Sequence, residues 1–303
     1  MNINPEISTV IHEIKNDKTH GASQLARQAI DVFKTATKHS QTKDTGEFLL
    51  ELQKLGQDLI STRPTMAPIF NIINRLLNSI EPAKEMNLDS AKQFTTLKIN
   101  ESINNSLDTI KQITQYCLTL INSGDKIMTH SYSSTVISVL KEASIKYKDI
   151  EVIITRSGPG NTGKGIIEEL THYGIPTTFI DDTAAGLYLS TTSKVMLGAD
   201  RICADNKVIN GIGTYHMALI SKEAGVPFYV LCDTLKFDPR LNSPEVDLED
   251  KDPSEIIESD KVSTSIKVKN PHFDITPMEL ITAIVTEKGL ITGEDLTSIW
   301  EDS

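Results

Sequence analysis

Short apolar runs alternate with helical segments through the second half of the chain, and this alternation restricts the fold more than any other feature. The runs KIMTH, EVIIT, TTFI, KVML and FYVLCD predict strands at 126–130, 151–155, 177–180, 194–197 and 228–233. Helical spacing of the apolar residues predicts helices between them, at 135–147, 164–173, 183–191 and 214–224. Strands that alternate with helices form βαβ units, so we expect a parallel sheet with right-handed crossovers.

The first 121 residues have helical periodicity instead. Apolar residues recur at helical spacing through 7–14, 25–33, 47–60, 65–80 and 90–121. The pattern changes at Asn122-Ser123-Gly124-Asp125. We therefore predict an α/β protein in which an N-terminal helical domain (1–121) is followed by a Rossmann-like parallel-sheet domain (122–303). Near the end, the acidic segment 241–260 predicts an exposed loop or arm, and 273–277 is expected to lead to a last helix and a strand-like segment at 281–286.

One acidic residue stands at the end of a predicted buried strand. In the segment VMLGADRICADNKVINGIGT, residues 195–214, an apolar strand is followed by Gly198-Ala199-Asp200, a polar turn, and Asn210-Gly211-Ile212-Gly213-Thr214 opening a helix. A carboxylate at such a position is costly to desolvate unless it has a partner or a function. Parallel sheets bind ligands at the carboxyl ends of their strands. Asp200 is therefore the first candidate site residue.

Composition excludes several classes of protein. The 303 residues carry a net charge of −11 and no long Lys/Arg run, so direct nucleic-acid binding is not expected. Three cysteines without CxxC spacing, Cys117, Cys203 and Cys232, predict buried thiols rather than disulfides or a metal site. No cofactor motif is expected. The sequence has no signal-peptide pattern and no apolar run of about 18 residues, which predicts a cytoplasmic protein without a membrane segment.

The loop SGPGNTGKG, residues 157–165, follows one predicted strand and precedes a helix. Gly158, Gly163 and Lys164 match the phosphate-loop pattern G-x-x-x-x-G-K, in which backbone N–H groups surround phosphate oxygens. Gly165 stands where that pattern has the magnesium-binding Ser or Thr. Three interpretations remain open: a nucleotide triphosphatase loop, a general phosphate-binding loop, and a plain turn.

The segment THSYSSTV, residues 129–136, places small hydroxyl residues between a predicted strand and a helix. Ser133 or Ser134 would cap that helix, or Ser131, Ser133 and Ser134 would bind an anion at its N-terminus. A serine nucleophile would need a positioned base. His130 is adjacent in sequence, but strand alternation would point it to the opposite face.

Two cations are further candidates for phosphate binding. Arg63 lies in STRPT, where Pro64 ends a helical stretch, and a guanidinium there would bind phosphate or form a surface ion pair. Lys236 follows the strand FYVLCD at the same sheet edge as Asp200. It would bind a phosphate group or lie in solvent.

Taken together, these segments resemble the family that contains the alpha, beta and delta regulatory subunits of translation initiation factor 2B, ribose-1,5-bisphosphate isomerase and methylthioribose-1-phosphate isomerase. The resemblance begins at HGASQLARQAI and continues through TRPT, GDKIMTHSYSSTV, EVIITRSGPGNTGKG, YGIPTTFIDDTAAG, GADRICADNKVINGIGT, GVPFYVLCDTLKFDP and NPHFDITPMELI to TEKGLI, in conserved order and spacing. It is closest to archaeal ribose-1,5-bisphosphate isomerase and to short archaeal homologues of the initiation-factor subunits. It implies a helical domain followed by a Rossmann-like domain that forms dimers, and hexamers in some isomerases.

The resemblance also assigns roles to residues. In the isomerases a Cys and an Asp transfer protons while an aldose 1-phosphate becomes a ketose 1-phosphate, and cations with backbone N–H groups hold the phosphates. The Asp corresponds to Asp200, and the Cys position holds Ser131 in this chain. The implied ligand-binding residues are Gly21, Arg63, His130, Ser133, Gly163, Lys164, Asn210, Gly211 and Lys236.

Several departures from the family pattern bear on whether this chain is a regulatory-type binding protein or an isomerase. A serine hydroxyl is a far weaker acid than a thiol of pKa near 8.5. Family cations are also missing at His20-Gly21-Ala22, in the 157–165 loop and at Gly211, with Arg156 and Lys164 as possible local replacements. We therefore expect a regulatory-type protein that binds a sugar phosphate or nucleotide, forms homodimers or hexamers through its C-terminal domain and has initiation factor 2 as a candidate partner. The alternative is an aldose–ketose isomerase acting on ribose 1,5-bisphosphate or a related sugar 1-phosphate, with Asp200 in proton transfer.

Overall fold

The chain divides into two compact units, Met1–Thr109 and Ile110–Ser303. The computed structural model describes residues 5–17, 20–147, 149–248, 250–258, 263, 265–293 and 295–296. The division falls inside one long helix, Leu88–Leu118. The boundary predicted between residues 121 and 122 lies after the end of that helix.

The first unit is helical, as its periodicity predicted. Its helices are α1 (Pro5–Asn16), α2 (Ala22–His39), α3 (Thr45–Ile60), α4 (Ala67–Ser79) and the first part of α5 (Leu88–Leu118). Asp44 caps α3 by accepting the N–H of Glu47 at 2.9 Å, and Pro68 lies in the first turn of α4, where no N–H donor is needed. Large apolar side chains such as Phe33 and Phe48 fill the core.

The second unit alternates strands and helices. In chain order these are β1 (Lys126–Thr129), α6 (Ser134–Tyr147), β2 (Glu151–Thr155), α7 (Gly163–Thr171), β3 (Thr177–Ile180), α8 (Ala185–Tyr188), β4 (Lys194–Leu197), β5 (Arg201–Cys203), β6 (Lys207–Gly211), α9 (Thr214–Ala224), β7 (Phe228–Leu231), β8 (Phe237–Asp238), β9 (Phe273–Pro277), β10 (Ala283–Thr286) and β11 (Gly289–Ile291). The five strands predicted from apolar runs are β1, β2, β3, β4 and β7. The predicted α/β class is confirmed.

Among the described residues the larger sheet has the order β11-β10-β7-β4-β1-β2-β3. Its pairings are parallel except between β10 and β11. Neighbouring residues of one strand point to opposite faces, and Ile127 and Met128 accordingly belong to two different apolar clusters. Helices α6 and α7 contribute to the cluster containing Ile127, and α8 and α9 to the cluster containing Met128. The sheet is thus covered on both faces, as in a doubly wound fold.

A second sheet of order β8-β5-β6-β9 was not predicted. The sequence between Asp200 and Asn210 suggested only a polar turn, but residues 201–203 and 207–211 form the antiparallel strands β5 and β6. The first of these strands begins with Arg201, which is buried because its guanidinium pairs with the fully buried Asp238 of β8. A partner 37 residues away leaves no local sign in the sequence.

The C-terminal part also departs from prediction. The helix expected after residue 277 is a single 3-10 turn, Met278–Leu280, between β9 and β10. The acidic segment 241–260 was predicted as an exposed loop or arm; its described residues are mostly exposed or half-buried, with short 3-10 turns at Ser243–Glu245 and Pro253–Glu255, and residues 259 and 260 lie outside the described residues. Within the described part of the chain, every helix is too short or too polar to cross a bilayer.

Candidate functional site

Polar residues from three neighbouring strands meet at one edge of the larger sheet. The strands β7, β4 and β1 are adjacent and parallel, so their carboxyl ends lie side by side. Lys236 follows β7, Asp200 follows β4 and Ser131 follows β1. This edge is where an open parallel sheet binds ligands, and the structure brings these three predicted residues to it.

The loop after β1 packs tightly against glycines at the ends of neighbouring strands. A Cβ atom at each of these glycines would lie 2.6–2.8 Å from a loop side chain, closer than such contacts occur. The contacts are Ser133 on Gly198, Ser131 on Gly211 and His130 on Gly213. The larger sheet contributes Gly198 and the smaller one Gly211, so the site is built where the two sheets meet.

The His130 ring is a structural element of this edge. It is 1% exposed, and its Nε2 lies 2.7 Å from the carbonyl oxygen of Ile212, to which it must donate. Its Nδ1 then accepts from the Thr155 hydroxyl at 2.6 Å. Burial lowers the pKa of His130, against smaller raising effects of the Ile212 carbonyl and Asp182. Both ring nitrogens are therefore used by the protein, and the imidazole is not oriented as a base for Ser131.

Ser131 has a left-handed backbone conformation, with φ of 62°. Its N–H donates to Ser157 Oγ at 2.7 Å, which ties the end of β1 to the loop after β2. Ser133 immediately precedes α6, and its carbonyl oxygen accepts the N–H of Ile137 in the first turn of that helix at 3.0 Å. Ser131 and Ser133 thus line the edge between Gly211 and Gly198.

Five of the eight backbone N–H groups in the 157–165 loop donate to acceptors within the protein. The carboxylate of Asp182 accepts the N–H groups of Ser157 and Gly158, each at 2.7 Å. The N–H of Gly163 donates to the carbonyl of Arg156, and those of Lys164 and Gly165 donate to carbonyls inside the loop. A phosphate loop needs such groups free to face its ligand. This geometry favours the interpretation as a structural turn.

Two glycines of the loop have steric reasons to be glycine. A Cβ at Gly163 would overlap the carbonyl oxygen of Thr155, and one at Gly165 would lie 3.1 Å from the Tyr132 ring. The ring therefore crowds the position of the magnesium-binding Ser or Thr and would have to shift by a few tenths of an ångström to admit one. Lys164 is exposed on the first turn of α7.

Lys236 differs from Lys164 in its surroundings. It lies in the 3-10 turn Thr234–Lys236, is 4% exposed, and has neither a hydrogen bond from its ammonium group nor an ion pair among the described residues. The turn is held by Glu287 after β10, which accepts the N–H and hydroxyl of Thr234. This turn thus places Lys236 at the carboxyl edge of the larger sheet.

Asn210 and Asp200 occupy the junction of the two sheets. Asn210 is buried, and its amide donates to the Thr214 hydroxyl at 2.9 Å, at the start of α9. Asp200 is half-buried, and its N–H donates to Ile209 at 2.9 Å. Asp200 therefore lies next to the strand that carries Asn210 and Gly211.

The three thiols of the chain are poorly suited to proton transfer near neutral pH. Cys117, Cys203 and Cys232 are free and buried. Burial raises the pKa of Cys117 and of Cys203 to about 12, and that of Cys232 well above its ordinary value. Each of them is therefore a poor proton donor or acceptor near neutral pH.

Two carboxylates at this edge were not predicted from the sequence. Asp182 holds the 157–158 turn, and Asp274 of β9 accepts the N–H groups of Gly213 at 2.8 Å and Tyr215 at 3.1 Å. Burial raises the pKa of Asp274 to about 6, and the two N–H donors lower it. The pattern FDITP indicated a strand, but nothing local connects it with a turn 61 residues earlier.

Gly21 and Arg63 belong to the first unit, and their part in the site remains a prediction. Gly21 precedes α2 in extended conformation. Arg63 is buried, with its Nε donating to the Ile14 carbonyl at 3.0 Å and its Nη2 to the Asp17 carbonyl. These bonds close the end of α1, which gives Arg63 a structural function.

Comparison with known proteins identifies the class to which this fold and edge belong. The model of the initiation factor 2 subunit family matches residues 18–293. The chain is 37% identical to ribose 1,5-bisphosphate isomerase of Pyrococcus furiosus, covering 94% of this chain and 90% of that protein. It is 31% identical to a putative translation initiation factor eIF-2B subunit 2-like protein of the same organism, covering 94% and 96%. The crystal structure of Pyrococcus horikoshii translation initiation factor eIF-2B superposes with a TM-score of 0.83 at 28% identity, covering 96% of this chain and 98% of that one.

The chain belongs to the initiation factor 2 subunit family. The predicted resemblance is confirmed, including both of its branches, since relatives named as isomerases and as eIF-2B-like proteins both match over most of the chain.

Proposed function

We propose that this protein binds a sugar phosphate of the ribose 1,5-bisphosphate class at the edge where β7, β4 and β1 end. The observation that carries this proposal is Lys236, which is only 4% exposed and whose ammonium group has no hydrogen bond or ion pair among the described residues. A cation with so little access to water loses much of its hydration, and an anionic ligand would supply a partner. Asp200 and Ser131 lie on the two neighbouring strand ends, where the sugar would extend.

The choice of ligand rests on chemistry and on relatives. The net charge of −11 disfavours anions at long range, so a local buried cation has to provide the attraction. Relatives at 35–37% identity are named ribose 1,5-bisphosphate isomerases, which supports a phosphorylated pentose as the ligand class.

We further propose that binding occurs without efficient turnover. Proton transfer between two carbons of a sugar needs groups that exchange a proton near neutral pH. Ser131 replaces the family thiol, and the three thiols of this chain are buried with raised pKa values. The protein would then act through assembly, as a homodimer or hexamer formed by the second unit, with initiation factor 2 as a candidate partner.

Isomerization is the second candidate function. It is favoured by Asp200, which lies on the central one of the three strand ends, and by the identity to named isomerases. In this case Asp200 would move the proton from one carbon to the next, and a group other than a thiol would protonate the oxygen.

One experiment tests binding and turnover together. Ribose 1,5-bisphosphate is added to the full-length protein, affinity is measured by calorimetry and ketose formation by NMR. We expect binding without measurable ketose, and a 10- to 100-fold weaker affinity in Lys236→Ala, since a charge-assisted bond contributes about 1.5–3 kcal/mol. Lys222→Ala, which removes an exposed lysine at the far end of α9, should leave the affinity unchanged.

The outcomes separate the two candidates. Rapid ketose formation that is lost in Asp200→Asn would establish the isomerase and reject the non-catalytic proposal. Equal affinity in Lys236→Ala and wild type would remove Lys236 from the site. We expect Ser131→Cys to gain turnover if the edge is still arranged for proton transfer.

A further inference from the structure

The turn between β6 and α9 is a wall of the proposed ligand site. Gly211 contacts Ser131, Gly213 contacts His130, and the carbonyl of Ile212 accepts the Nε2 hydrogen bond of His130 at 2.7 Å. Each residue of this turn therefore positions the loop that carries Ser131. A change in the turn has to move that loop or leave a gap beside it.

The turn is itself held from the other side by one carboxylate. Asp274 Oδ2 accepts the N–H groups of Gly213 at 2.8 Å and Tyr215 at 3.1 Å. Gly213 has a φ of 104°, a conformation that few residues other than glycine adopt, so the carboxylate fixes the turn where the backbone bends most. Charge-assisted bonds to N–H groups are about twice as strong as bonds to a neutral acceptor.

Asp274 has no other bonding function among the described residues. Its Oδ1 is buried and accepts no hydrogen bond from them. In the antiparallel register Asp274 lies opposite Asn210, so both side chains project from the same face of the smaller sheet. Asn210 contacts the start of α9 through Thr214, and the two side chains together support the first turn of that helix.

We propose that Asp274 is a positioning residue for the ligand site, whose carboxylate holds the 211–213 turn in the form that receives Ser131 and His130. This inference rests on the proposed function for its effect on ligand binding. Its effect on the turn is independent of any ligand. Asp274 does not touch the ligand; it acts through its hydrogen bonds to the backbone N–H groups of Gly213 and Tyr215.

The ionisation of this carboxyl makes the arrangement sensitive to pH. Burial raises the pKa of Asp274 to about 6, so the carboxylate is present above about pH 6 and takes up a proton below it. The two N–H bonds favour the carboxylate, but burial outweighs them, so the held turn is more stable with the protonated carboxyl than with the ion. We therefore expect the turn to be most stable below about pH 6 and to loosen, with a fall in ligand affinity, as the pH rises through 6.

The surrounding titratable groups are few. The first turn of α9 carries Tyr215 and His216, and His130 lies beneath Gly213. The neighbouring strand β6 presents the uncharged Asn210, and the ammonium of Lys207 at its other end pairs with Asp205. Burial raises the pKa of Asp274 against the lowering effect of the two N–H donors, and these side chains are not among the causes.

The first test needs neither ligand nor variant. The amide resonances of Gly213 and Tyr215 are followed by NMR between pH 4.5 and 8. We expect both to shift with one common midpoint near 6, and the shift to disappear in Asp274→Asn. Amide resonances that stay constant over this range in the wild-type protein would overturn the proposal.

The second test measures affinity for ribose 1,5-bisphosphate against pH. At pH 7.5 we expect Asp274→Asn, whose neutral amide keeps an acceptor oxygen without the cost of burying a charge, to bind about tenfold more tightly than wild type, and the two affinities to converge at pH 5. The phosphate groups of the ligand titrate in the same way with wild type and with the variant. The ratio of the two affinities therefore isolates the effect of Asp274. Asp44→Asn removes the charge from a comparable helix cap in the first unit and should leave the ratio at one throughout.

The two proposals fail in different ways. If wild type does not bind the sugar phosphate but the amides titrate near pH 6, the ligand assignment is wrong and the function of Asp274 in the turn stands. If wild type binds and the ratio for Asp274→Asn is one at every pH, the ligand assignment stands and the positioning proposal is wrong.

Discussion

The loop after β2 and the edge after β7 both looked like phosphate sites, but they differ in what their polar groups contact. In the loop, Asp182 and nearby carbonyls accept five of the eight N–H groups that could face a phosphate. At the edge, Lys236 is buried with no hydrogen bond or ion pair from its ammonium group in the described part of the chain. The comparison teaches that a motif specifies a backbone shape, whereas a binding site also requires groups that the protein leaves unsatisfied.

The largest effect is expected from the loop as a structural element. Gly163→Ala would place a Cβ on the Thr155 carbonyl oxygen, and we expect a loss of at least about 3 kcal/mol of unfolding free energy or failure to fold, because backbone atoms cannot move aside cheaply. Urea unfolding measures this loss. Gly186→Ala in α8, where a Cβ meets no atom within 4 Å, is the control and should be neutral or slightly stabilising. Equal stability of the two variants would contradict the close contact.

A smaller effect is expected when the internal anion is removed. Asp182→Ala should lower the unfolding free energy by about 1.5–3 kcal/mol, since two bonds to a charged acceptor are lost. Inorganic phosphate should then raise the melting temperature of this variant more than that of wild type, because the N–H groups of Ser157 and Gly158 become available. Asp181→Ala, which removes a more exposed carboxylate bonded to Thr183 and Arg156, should lower the unfolding free energy less and should show no added stabilisation by phosphate. If phosphate stabilises wild type and Asp182→Ala equally, the loop donors are not masked by Asp182.

The smallest effect is expected for the stability of a variant at Lys236. In the absence of ligand, Lys236→Met should raise the unfolding free energy by about 1 kcal/mol, because an apolar side chain replaces a buried charge without a partner. Lys194→Met is the matched control, since Lys194 is buried but paired with Asp125. Its loss strands a carboxylate and should destabilise by about 3–5 kcal/mol. Destabilisation by both substitutions in ligand-free protein would mean that Lys236 already has a partner.

Much of the fold was predictable because its signals are local. The apolar runs that became β1, β2, β3, β4 and β7 are bounded by helical segments of ordinary length, and their alternation implies the parallel sheet. The positions of Asp200 and Lys236 at its carboxyl edge follow from the same alternation. The smaller sheet was missed because β5 has three residues and begins with an arginine, whose burial depends on Asp238.

The position of the candidate site was predictable from the sequence, but the hydrogen-bond partners of its side chains were less so. His130 was expected to point away from Ser131, and in the structure its ring bonds to Thr155 and Ile212. Asp182 and Asp274 were not predicted as site residues, because each accepts hydrogen bonds from backbone N–H groups of a turn that is distant in the sequence. Arg63, chosen as a phosphate ligand, donates to backbone carbonyls at the end of α1.

By itself the sequence determined the family, the order of helices and strands, and the residue types available at the sheet edge. It did so because periodicity, spacing and chain order are properties of neighbouring residues. Only the tertiary structure decided which donors and charges are already satisfied, as at Ser157, and which are not, as at Lys236. The physical reason is that hydrogen bonding and desolvation depend on groups brought together from distant parts of the chain.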